Sequence, residues 1–184
     1  MNKRFAVTAI LVCSAIVASV WHVALVGQTR RSTTSTADQL QELMDKQAIH
    51  QLFMNYGRTL DSRDFAGFER LFARDAEYGG GANMVKGPAA IRARLEAALK
   101  QNGAPMPGRD WHFFFNETID VHGDEATAVS MGAFFVRGEN NKLQSDSFAI
   151  YDDVVIREDG VWKFKRRRLG STVPPWALPS PSTR

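Results

Sequence analysis

From Asp110 to Leu169 the chain passes through four segments, about 110 to 121, 125 to 137, 143 to 156 and 161 to 169, each rich in Phe, Val, Ile, Thr and Tyr. The turn-forming stretches "HGDE", "GENN" and "REDG" separate them, which predicts a meander of antiparallel strands. Most of what precedes is helical in period. From Asp38, read as an N-cap, apolar residues recur at Leu40, Leu43, Met44, Ile49, Leu52, Phe53, Tyr56 and Leu60, so one long amphipathic helix is expected to end near Asp61. "SRDFAGFERLF" then sets Phe65, Phe68, Leu71 and Phe72 on one face of a short second helix capped by Ser62 or Asp64. "AEYGGGANMVKG" reads as a brief strand running into a Gly-rich loop. "PAAIRARLEAALK" reads as a third helix opened by Pro88 and ended by "QNGAPMPG". Helices first and strands afterwards describe an α+β domain whose sheet packs one face on the helices.

The flanks differ from this body. Lys3 and Arg4 precede an uncharged run from Phe5 to Val26, so residues 1–28 read as an export signal or an uncleaved membrane anchor. Residues 29–37 are a Ser/Thr-rich spacer, 38–172 the folded domain, and 173–184 a Pro-rich tail that either covers a pocket mouth or stays disordered. The domain is expected to be exported to the periplasm, and to stay tethered to the membrane through the N-terminal segment if that segment is not cleaved. Without Lys3 and Arg4 the chain carries 21 basic and 20 acidic residues, a balance that gives no support to nucleic-acid binding. The one cysteine, Cys13, lies in the apolar run, so the domain has no thiol chemistry and no disulfide.

Chemistry concentrates in "DWHFFFN", residues 110–116. Strand alternation sends His112, Phe114 and Asn116 to one sheet face and Trp111, Phe113 and Phe115 to the other. A histidine on a covered face needs a partner for its ring nitrogens, and Asp61 at the end of the first helix is the candidate. The competing reading is a core histidine satisfied by backbone or by Asn116. Asn116 itself either holds a substrate oxygen or satisfies the strand. The second face is too apolar to leave wet, so a homo-oligomer, dimer or trimer, is expected.

"AIHQLFMNYGRTLDSRDFAGFERLFARDAEY", the "KGPAAI" helix start, "WHFFFN" and "EDGVWKFKRRR" together resemble the SnoaL-like branch of the NTF2-like superfamily, over roughly residues 40 to 170. The resemblance implies a cone of three N-terminal helices on a curved, mainly antiparallel sheet around a deep pocket. Within it the patterns look most like scytalone dehydratase and hexachlorocyclohexane dehydrochlorinase, which use an Asp–His pair for eliminations on small hydrophobic substrates. "LDSRDF" carries that aspartate onto Asp61, and "WHFFFN" carries the histidine onto His112. Tyr78 matches a pocket tyrosine of the dehydratase, and Arg167 falls where the dehydrochlorinase has a pocket arginine. Tyr56 stands where the dehydrochlorinase has its lysine, and Ser130 where the dehydratase has its second histidine, so neither specific activity transfers.

The expected machinery is therefore His112 as base, Asp61 as its orienting partner, and Tyr78 or Tyr56 as donor to developing negative charge. Asn116, Arg167, Phe114 and Met131 are expected against the substrate. Arg167 is also compatible with a solvated strand end, and Phe114, Met131, Phe135 and Phe148 with plain wall or core. His50 and His122 lack metal-like spacing with His112, "YGGGANMVKG" lacks a phosphate-loop ending, and no nucleophile elbow occurs, so acid–base chemistry without metal or cofactor is expected. The alternative is a non-catalytic module that binds a small hydrophobic molecule or serves assembly.

Overall fold

The computed structural model describes residues 35–101, 108, 110–138, 141–170, 172, 173 and 177. The predicted leader, most of the spacer, the "GENN" centre and most of the Pro-rich tail, with Trp176, lie outside the described residues. Two compact units partition the chain, Met1–Gln39 and Leu40–Arg184. Of the first, only the opening of a helix is described.

That helix, α1, spans Thr36–Asp61. Ser35 Oγ accepts from the Asp38 N–H at 3.1 Å and Asp38 Oδ2 accepts from the Ser35 N–H at 3.1 Å, a reciprocal capping box. Asp38 is thus the third helical residue rather than the N-cap, and helix begins inside the predicted spacer. From Ile49 onward the helix buries Leu52, Phe53, Tyr56 and Leu60. Its end is closed by two bonds, Asp64 N–H to Thr59 O at 2.8 Å and Arg63 N–H to Leu60 O at 3.0 Å, with Arg63 left-handed at φ 60°.

Helix α2 covers only Phe65–Glu69, capped by Asp64, whose side chain accepts from the Gly67 N–H. Phe72, expected on its apolar face, instead opens strand β1, Phe72–Gly80. As a strand residue it packs its ring 5.1 Å from Phe68 and 5.4 Å from Phe164, and this tertiary burial overrides the helical period. The expected Gly-rich loop is half strand: β2, Asn83–Lys86, pairs antiparallel with β1. Gly80 lets β1 press on the sheet, since a Cβ there would sit 2.7 Å from the Leu169 carbonyl oxygen. Helix α3, Pro88–Gln101, buries Ile91 and Leu99.

The four predicted strands follow as β3 (Asp110–His122), β4 (Glu125–Arg137), β5 (Leu143–Glu158) and β6 (Val161–Gly170). The sheet order is β2-β1-β6-β5-β4-β3, and only β1 with β6 is parallel. Asp159 and Gly160, both at positive φ, make the two-residue turn between β5 and β6, as a hairpin with right-twisted strands favours. Register shifts in β3–β4, β4–β5 and β5–β6 curve the sheet. The core lies on one face of the sheet, where Phe53, Tyr56, Phe68, Phe72 and Phe164 interlock.

Candidate functional site

Helix α1 meets β3 at Gly57. A Cβ on that residue would lie 3.2 Å from the His112 carbonyl oxygen and 3.4 Å from Phe114 Cε2, so glycine permits the close approach. One turn later Asp61 reaches the strand. Its Oδ1 is 2.7 Å from His112 Nδ1, and its two oxygens accept the His112 backbone N–H at 3.1 and 3.3 Å. A carboxylate only accepts, so in the neutral imidazole the proton sits on Nδ1 and the lone pair on Nε2. Nε2 makes no hydrogen bond among the described residues. The imidazole rests on the Phe134 ring, centroids 4.6 Å apart, and its side chain is 13% exposed, neither sealed in the core nor open to water.

Beside this pair lies a polar group enclosed by rings. Tyr56 and Tyr78, both buried, share a hydrogen bond of 3.1 Å between hydroxyls. Burial pushes both phenols above their ordinary range, and Tyr151 likewise, so all three are neutral donors near pH 7. Tyr151 was not singled out from sequence. It faces Ser130 across β4–β5, its ring lies 5.4 Å from Phe114, and its hydroxyl has no hydrogen bond among the described residues.

Arg167 is fully buried, which overturns the solvated reading of "RRR". Its guanidinium carbon lies 4.1 Å from the Tyr151 centroid, 4.2 Å from Tyr56 and 4.5 Å from Phe164, and Nη1 donates to Asp153 Oδ2 at 3.1 Å. Aromatic faces take the place of water around the cation. Asp153, also fully buried, has its carboxyl pushed up to about 7 by burial, against the pull of Arg167. Arg167 is thus packed among the tyrosine rings, with Nε and Nη2 left without a hydrogen-bond partner among the described residues. The alternation Tyr151, Asp153, Val155 in "YDDVV" is the sequence signal that could have found this group.

Two expected substrate residues lie elsewhere. Asn116 adopts φ 53° in a bulge where Asn116 and Glu117 together oppose Ser130, and it is exposed, its amide 3.6 Å from Met131 Sδ. Met131 pairs with Phe115, so it belongs to the outer face with Phe113 and not to the face of His112. Past the bulge the strand's parity inverts. Glu117 turns toward α1 and meets His50 Nδ1 at 2.5 Å. Phe114 keeps the predicted face and stands edge-on to Tyr56, centroids 5.6 Å apart.

The profile of the SnoaL-like domain matches residues 41–168. No curated protein matches the chain. Among solved structures, it is similar to an NTF2-like protein with a cystatin-like fold from Novosphingobium aromaticivorans, at 26% identity over 80% of this chain and 99% of that one, TM-score 0.65. A putative scytalone dehydratase from the same organism is 27% identical over 72% of this chain and 87% of its own, TM-score 0.57. LinA is 25% identical over 73% and 90%, TM-score 0.58.

Proposed function

The chain belongs to the SnoaL-like domain family, and from that premise we propose that it catalyses a cofactor-free elimination, isomerisation or hydration on a small, largely apolar molecule. The observation that carries this reading is the Asp61–His112 contact with Nε2 left free beside Phe134. In the proposed step Nε2 takes a proton from a C–H or O–H of the substrate. The electron pair released forms the new double bond, and a hydroxyl or halide leaves, or the proton is returned elsewhere in an isomerisation. Asp61 keeps the reactive tautomer and stabilises the imidazolium that forms. Tyr78 and Tyr151, kept protonated by burial, donate to charge that develops on a substrate oxygen. Similarity to a putative scytalone dehydratase and to LinA supports the reaction class.

Turnover of the full chain on hydroxylated, halogenated and enolisable ring compounds tests this, with His112→Ala as control. Loss of a general base is expected to cost about 10²–10⁴-fold. Equal turnover in parent and variant would remove His112 from the mechanism.

A second reading, a pocket that holds a ligand without turning it over, is favoured by Ser130. Its hydroxyl is buried without a hydrogen-bond partner in the place of the dehydratase's second histidine. On that reading His112→Ala weakens binding and no member of the panel is consumed. We further propose export through the N-terminal apolar run, supported by Lys3 and Arg4 ahead of it, and self-association through the outer sheet face.

A further inference from the structure

Building on the reading of Asp61 and His112 as a working pair, we propose that Arg63 and Asp110 are positioning residues that hold the Asp61 carboxylate on His112 Nδ1. Arg63 occupies the left-handed position that closes α1, at φ 60°. Glycine is the usual residue there, because a Cβ crowds the backbone in that conformation. The closing bonds of the turn are made by backbone alone, so the side chain is not needed for them. It turns back instead: Nη1 donates to the Leu60 carbonyl and Nη2 to Asp110 Oδ1, the latter at 2.6 Å.

Asp110 is fully buried, and its backbone is fixed in the sheet opposite Val136 of β4. The helix end and the strand start are thereby joined by two rungs running in opposite chain directions, Asp61 to His112 and Arg63 to Asp110. Asp61 is the last residue of α1, where a helix frays. A second rung two residues beyond it pins that end to β3.

The test reads the tautomer of His112 in the full-length protein by nitrogen-15 spectroscopy of the imidazole, at a pH where the ring is neutral. The parent is expected to hold the Nδ1–H form. Arg63→Gly keeps a backbone suited to the turn and removes the guanidinium, and Asp110→Asn removes the partner charge while keeping its shape. Both are expected to lose the pure Nδ1–H pattern in favour of the Nε2–H form that free histidine prefers, with far-UV circular dichroism unchanged. Arg63→Lys, which restores a cation, is expected to recover part of the Nδ1–H signal, and it also decides the matter if Arg63→Gly does not fold. A parent-like tautomer in folded Arg63→Gly and Asp110→Asn would overturn the clamp while leaving the Asp61–His112 pair standing. A parent that lacks the Nδ1–H form, and matches Asp61→Asn, would overturn the pair and the clamp together.

Discussion

The buried Asp153–Arg167 pair makes stability depend on pH in a direction opposite to that of most carboxylates. Asp153 has its carboxyl pushed up to about 7 by burial, whereas in an unfolded chain an aspartate titrates near 3.9. Between those values the folded protein holds a proton that the unfolded chain has released. A folded state that binds the extra proton gains from acidity, so this contribution falls as pH rises through the window and levels off above it. From pH 5 to 7.5 the loss comes to about 2–3 kcal/mol. With a urea slope of about 1–3 kcal/mol per M, the unfolding midpoint should drop by roughly 0.7–3 M. The oppositely shifted groups do not mask it. Hydrogen bonds from Lys165, Lys86 and Lys163 hold Asp75, Glu77 and Glu158 below their ordinary values, so their stabilisation is lost only as pH falls below about 4. Urea unfolding of the parent and of Asp153→Asn across pH 5 to 7.5 isolates the effect, since the amide does not titrate. A parent-minus-variant stability that is flat or rises with pH would refute the reasoning.

Three further outcomes are expected. Asp45→Ala leaves Trp162 Nε1, now 3.1 Å from Asp45 Oδ1, and Arg157 Nη2 without that acceptor, while Arg157 Nε keeps Asp124; about 1–3 kcal/mol of stability should go, read by urea unfolding, and a change within error would show the contacts idle. A Cβ on Gly132 would lie 2.6 Å from Tyr151 Cε2 and 3.1 Å from Phe114 Cε1. Gly132→Ala should cost about 1–3 kcal/mol and shift the tyrosine near-ultraviolet signal, and an unchanged spectrum would mean the rings are not locked. On the outer face Phe113, Phe115 and Phe148 are 48%, 40% and 57% exposed. Light scattering should give the parent a multiple of 20.5 kDa and Phe113→Ser/Phe148→Ser the monomer mass; identical masses would place any interface elsewhere.

Strand segments were legible where alternation and turn residues agree. The segment expected at 161 to 169 is β6, Val161–Gly170, bounded by the Asp159–Gly160 turn. Legibility failed where packing overrode local period. Phe72 continues an apolar helical face in sequence, but as a strand residue it gains Phe68 and Phe164 together. The hairpin of β1 and β2 was hidden because Gly79, Gly80 and Gly81 read as a loop. Gly79 and Gly80 serve close approach instead, a Cβ on Gly79 lying 2.1 Å from the Asn83 carbonyl oxygen, and only Gly81, at φ 56°, serves the turn. Arg63 and Asp110 could not be paired from sequence, since 47 positions separate them and only the turn at the end of α1 brings the guanidinium back to β3.

At the site itself, alternation holds from Trp111 to Phe115 and then breaks, and the reason can be argued from the residues. His112 and Phe114 share a parity; Ile119 and Val121 have the other, yet all except His112 pack against one core and His112 stands beside Phe134 on the same face. A regular strand would turn one of the two sets outward, because a single-residue slip moves every following side chain to the opposite face. One inserted residue reconciles them, and Asn116 supplies it by adopting the left-handed conformation that asparagine tolerates better than most residues. "FFFNETIDV" therefore already contains the mark of a bulge: apolar positions change parity across an Asn. The same insertion removes Asn116 from the face of His112 and delivers Glu117 to His50, so the residue that sequence placed in the pocket is the one that shapes the strand around it.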